Sequence, residues 1–66
     1  MPKPMMSLQP SEMALFQAAS RVYAAYVVAG RVMEGNENEM IERSIAEAFR
    51  MARLIEEAVQ SDEEFG

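Results

Sequence analysis

The sequence predicts an all-α protein, a two-helix antiparallel hairpin with helices over about residues 10–34 and 37–61, which dimerises into a four-helix bundle. Three observations predict it. The stretch Met13 to Met33 is apolar nearly all the way round a helix. A second stretch, from Glu37 onward, carries a regular apolar stripe with a charged opposite side. Between them stand Gly35 and Asn36, a helix-stopping residue followed by a helix-starting one.

Residues 1–9 hold two of the three prolines and no helical periodicity, so this segment reads as an extended or disordered arm. The first helix is expected to begin near Pro10, because a proline in the first turn has no intrahelical N–H bond to lose, with Gln9 or Ser11 at the cap. No strong capping box is legible there. Leu15, Ala19, Val22, Tyr26, Ala29 and Met33 form its inner seam, and Ala18, Ala25 and Val32 widen one flank as Phe16 and Tyr23 widen the other. The helix is expected to reach about Glu34 and stop at Gly35, which takes a left-handed conformation at little steric cost.

Asn36 then reads as the N-cap of the second helix, with Glu39 in the capping-box position and Glu37 favourably placed against the helix dipole. The link is therefore expected to be about two to four residues long, which forces the helices to lie antiparallel as neighbours. In the second helix Ile41, Ile45, Ala48, Ala52, Ile55 and Val59 repeat at the spacing of a bundle seam, widened by Met40, Phe49, Met51 and Leu54. Glu39, Arg43, Glu47, Arg50, Arg53 and Glu57 make the polar side. The hairpin is expected to occupy residues 10–61, and the acidic end, 62–66, to fray against the negative end of the dipole.

A chain of 66 residues seldom stabilises a lone hydrophobic core. With no Cys and no His, disulfides, thiolate metal sites and the commonest zinc ligand are all excluded, and self-association is the remaining common remedy. The expected interface lies mainly on the first helix: Phe16, Ala18, Val22, Tyr23, Ala25, Tyr26, Ala29 and Val32, with Phe49 from the second. Small residues on both helices permit close approach, and the aromatic rings fill the space beside them.

Function is constrained mostly by exclusion. The carboxylates sit on the polar side of the second helix, and a carboxylate-bridged metal site in a bundle needs a Glu-x-x-His motif, so neither an enzyme nor a cofactor is expected. The oxygen-rich turn from Glu34 to Glu39 lacks the ligand pattern of a helix–loop–helix calcium site, and capping accounts for it better. Net charge is −5, with +2 over Met13–Met33, −3 over Glu37–Ser61, −3 from Asp62, Glu63 and Glu64 and −1 from Lys3, Glu12 and Glu34 together. That balance disfavours nonspecific binding to nucleic acid or anionic membrane.

Arg43, Arg50 and Arg53 form a one-sided row that a twofold dimer would duplicate, a candidate polar face for RNA, DNA or an acidic protein. Glu39 to Arg43 and Arg53 to Glu57 stand at i,i+4, however, and ion pairing along the helix is the simpler account. The segment Met1–Met6 lacks the pattern of a secretion signal and no apolar run approaches ~20 residues, so a cytoplasmic protein without a membrane span is expected. In overall plan, a short acidic hairpin expected to dimerise, the chain resembles the small plasmid regulators that bind paired RNA loops as four-helix bundles. The likeness is one of architecture, with no shared residue motif. The expectation is a noncatalytic oligomeric interaction module, with a nucleic-acid-binding regulator or a subunit of a larger hetero-complex as alternatives.

Overall fold

A computed structural model describes residues 7–65, with side-chain positions up to residue 60. The chain forms two α-helices, α1 from Pro10 to Val28 and α2 from Glu37 to Phe65, with no strand among the described residues. They pack as an antiparallel hairpin: Ala19 near the middle of α1 adjoins Ile45, whereas Ser11 at its start adjoins Ile55. The expected N-terminal arm lies in part outside the described residues, as do the side chains of the acidic end.

At the start of α1, Gln9 is the cap, with extended backbone, and Pro10 follows in the first turn. The Glu12 carboxylate accepts a 2.8 Å hydrogen bond from the Gln9 N–H, the reach-back of a capping box that was not expected from the sequence. The helix ends earlier than the expected Glu34. Gly30 adopts φ +76°, its N–H donates to the Val27 carbonyl at 3.0 Å, and the Arg31 N–H donates to the Tyr26 carbonyl at 2.8 Å. These two bonds constitute a Schellman motif, which satisfies carbonyls that the last turn leaves unpaired. Gly30 is the first residue at which such a stop costs little, and a glycine inside a helix would cost about 1 kcal/mol relative to alanine. The chain stops there rather than at Gly35.

The connection is consequently eight residues, Ala29 to Asn36, instead of two to four. Its organiser is Asn36. The Asn36 Oδ1 accepts from the Met33 N–H at 2.6 Å, and its Nδ2 donates to the Arg31 carbonyl at 3.0 Å. The Asn36 N–H also closes a turn onto the Met33 carbonyl at 3.1 Å, with Gly35 at φ +102°. Asn36 does stand at the expected N-cap position, its main-chain carbonyl accepting the first bond of α2 from the Met40 N–H at 3.0 Å, but its side chain points back into the loop and does not cap the helix. Glu37 accepts from the Gly35 N–H at 2.8 Å, and Glu39 pairs with Arg43 instead of reaching back to the cap.

The core is a narrow line. Ala19 on α1 and Met40, Ser44 and Ala48 on α2 are buried, with Leu15, Ala18, Val22, Tyr23 and Tyr26 half-buried around them. On α1 the residues facing the partner helix are those the stripe indicated as far as Tyr26, while Ala29 and Met33 fall in the connection and are exposed. On α2 the contact line is Met40, Ser44 and Ala48, which keeps Ala48 of the expected seam and Met40 beside it but is centred roughly 60° round the helix from the mean of that stripe. Ile41, Ile45, Ile55 and Val59 are all exposed. The reason is size: Ser44 and Ala48 let α1 approach closely, and an isoleucine on that line would hold the helices apart. Burying Ser44 is inexpensive because its hydroxyl donates to the Met40 carbonyl of its own helix at 2.8 Å.

α2 runs past the expected end at Ser61 to Phe65, 29 residues against 19 in α1, an excess of about 15 Å in length. Every described side chain from Phe49 to Gln60 is exposed. No helix among the described residues is long and apolar enough to cross a membrane.

Candidate functional site: the uncovered apolar faces

Two apolar grooves flank the line along which the helices meet. One, of about 420 Å³, lies between Phe16 on α1 and Ile45 and Phe49 on α2, with Leu8 at its end. The other, of about 410 Å³, lies on the opposite side of the hairpin between Ala14 and Ala18 on α1 and Met51, Ala52 and Ile55 on α2. Leu15 and Ala48 border both, so the two grooves are separated by a wall one residue thick from each helix. They exist because the close approach enforced by Ser44 and Ala48 leaves the larger side chains splayed to either side.

Their lining bears on their chemistry. Glu12 is the one charged residue in either groove, and its carboxylate already holds the Gln9 N–H at the helix start. Ser11 adds a hydroxyl to the second groove. A small-molecule site combines apolar walls with several convergent polar groups that orient the ligand, and neither groove has them. Such surfaces suit another apolar helix face.

The nine residues expected at an interface separate into three places. Phe16 and Phe49 both line the first groove and are more than half exposed, and Ala18 lines the second. Val22, Tyr23, Tyr26 and Val32 are half-buried toward the start of α2 and the connection, while Ala25 and Ala29 are exposed. Ile41, Ile45, Ile55 and Val59, apolar residues that the sequence placed inside the hairpin, are exposed instead. The signal that would have found them is the line Met40, Ser44, Ala48, small or flexible residues four apart, competing with the isoleucine stripe for the inner position.

The arginine row is divided by ion pairing. Arg43 lies 3.7 Å from Glu39, and Arg50 lies 3.9 Å from Glu47, at i,i+3. The Arg53 to Glu57 pair that the spacing allows is not closed. All three arginines are exposed. In the turn, the oxygens of Asn36 and Glu37 are committed to loop N–H groups and Glu39 to Arg43, and no cluster of potential metal ligands occurs among the described residues. No known protein family, characterised protein or solved structure matches the chain.

Proposed function

We propose that the protein is a noncatalytic helical interaction module that works as an oligomer, two hairpins closing into a four-helix bundle. One observation carries the reading: a serine, Ser44, is buried at 1 % exposure while Ile45, Phe49, Ile55 and Val59 on the same helix are 43–63 % exposed. A monomer that buries a hydroxyl and leaves its large apolar side chains in water has its packing surface outside itself.

Sedimentation equilibrium at micromolar concentration tests it. The expected result is twice the mass of the 7.4 kDa chain, with helical circular dichroism. A stably helical monomer would remove the proposal. A stoichiometric host protein that dissolves the self-association on binding would instead make the chain a subunit of a larger complex.

A further inference from the structure

We infer that the hairpin has a second register, a minor state in which α1 runs on to Gly35 and slides past α2 by about five residues, ~8 Å, turning the isoleucines of α2 inward. The first support is a pattern that the observed register leaves unmatched. On α1 the spacing of Leu15, Ala19, Val22 and Tyr26 continues unbroken to Ala29 and Met33, which lie exposed in the connection. On α2 the same alternation of threes and fours runs from Ile41 to Val59. An antiparallel pair sets residues at equal distances from its turn against each other. Counted from a turn at Gly35 and Asn36, Ile41 falls against Ala29, Ile45 against Tyr26 and Ile55 against Leu15, layer by layer. In the observed register Ile45 lies by Ala19 instead, and Ile55 by Ser11.

The second support is that the parts of the tighter turn are already in place. Gly35 holds a left-handed φ of +102°, an added Cβ there would meet nothing within 4 Å, and the Asn36 carbonyl already takes the Met40 N–H at the start of α2. From Ala29 to Glu34 the poorest helix former is Gly30. The slide gives up only local bonds, the Schellman pair at Gly30 and the two of the Asn36 amide, and the lengthened helix forms main-chain bonds in their place. The third support is the contact row. Met40, Ser44 and Ala48 are spaced by fours, the ridge of helices that cross at about 50°, a geometry in which α2 draws away from α1 and leaves its side chains from Phe49 to Gln60 exposed. The stripe of threes and fours is the ridge of helices crossing at about 20°, which stay in contact along their length. Each register thus has its own row on α2, and a packed pair adopts one or the other. The observed register leaves Ile41, Ile45 and Ile55 exposed, whereas the slid one covers them with the chain's own α1 and withholds them from a second copy. That consequence rests on the oligomeric reading above; the register itself does not.

The chain has no cysteine, so a pair of introduced cysteines reports one distance without background. Ala19→Cys with Ala48→Cys reads the observed register, in which both positions are buried on the contact line, and Ala19→Cys with Ala52→Cys reads the slid one. A disulfide requires Cα atoms within about 7 Å. Each pair would be oxidised mildly at submicromolar concentration, and the product linked within one chain followed by mass, with and without Gly30→Ala. Alanine is strained at the left-handed stop and favoured inside a helix, so Gly30→Ala is expected to raise the linking rate of the Ala52→Cys pair relative to the Ala48→Cys pair at least about tenfold. An unchanged ratio overturns the second register. Hydrogen exchange of Gly30→Ala without cysteines reads the same state independently: the Val32 and Glu34 amides are expected to gain protection as they enter the lengthened helix. Strain without a slide would lower their protection, and that result also overturns the inference.

Discussion

The Ser44 hydroxyl donates a 2.8 Å hydrogen bond to the Met40 carbonyl one turn earlier, within the contact between the helices, and both residues are buried. This bond lets a polar side chain be the most buried residue of the contact between the helices. It uses only backbone of the same helix, so burial of Ser44 requires nothing from α1. Ser44→Ala is therefore expected to be nearly neutral, within about 0.5 kcal/mol, since the lost bond is offset by alanine's better helix propensity. Ser44→Leu is expected to destabilise by about 1–3 kcal/mol through overpacking. Urea denaturation at fixed protein concentration compares them; equal stability of the leucine variant would mean the helices do not meet closely at this point.

Gly30 closes α1 with a positive φ, and an added Cβ there would touch nothing within 4 Å. The expected cost of Gly30→Ala is thus backbone strain alone, about 1–2 kcal/mol. Gly30→Asn should lose less, because asparagine tolerates the left-handed region. Thermal melts of the two variants give the order, and an alanine variant as stable as the parent would indicate that α1 does not end at Gly30.

Asn36 ties the connection together through both ends of its amide. Asn36→Ala removes an acceptor and a donor from a half-buried position and is expected to cost about 1–3 kcal/mol. Asn36→Asp keeps the acceptor for the Met33 N–H and should fall between. Hydrogen exchange gives a sharper readout than global stability, since the Met33 amide should lose protection in the alanine variant and retain it in the aspartate variant.

Ile45 is exposed beside Phe49 on the first groove and makes little of the hairpin's own core. Ile45→Glu is expected to weaken self-association at least about 100-fold, each dimer losing two buried isoleucines at roughly 1.5–3 kcal/mol apiece. Sedimentation over a concentration series measures this. Undiminished association would place the interface elsewhere.

With Arg43 and Arg50 engaged by Glu39 and Glu47, and a net charge of −5, the duplicated arginine row is expected to hold neither RNA nor DNA. Filter binding or fluorescence anisotropy at low salt checks it. Binding that steepens with falling salt, and loses slope in Arg43→Gln or Arg50→Gln, would favour a nucleic-acid regulator instead.

The sequence by itself determined that this is a two-helix hairpin, because periodicity, Pro10 at one start and glycines at the stop are local signals read within a turn or two. The 4, 3, 4 spacing of Leu15, Ala19, Val22 and Tyr26 also indicated which side of α1 turns inward, although α1 is apolar nearly all the way round. Three features awaited tertiary structure. Two glycines can each end a helix, and the choice of Gly30 over Gly35 lengthened the connection and drew Asn36 into it. On α2 the buried line kept Ala48 and Met40 from the expected apolar side, added Ser44 and left the larger isoleucines outside, a choice that depends on both helices being present. The expected interface residues were likewise dispersed, with Phe16 and Phe49 both lining one groove and Tyr23 and Tyr26 drawn toward the connection. Hydropathy along one helix says how much surface must be covered; which surface the chain covers itself depends on the separation of the helices, and small side chains on both of them set that distance.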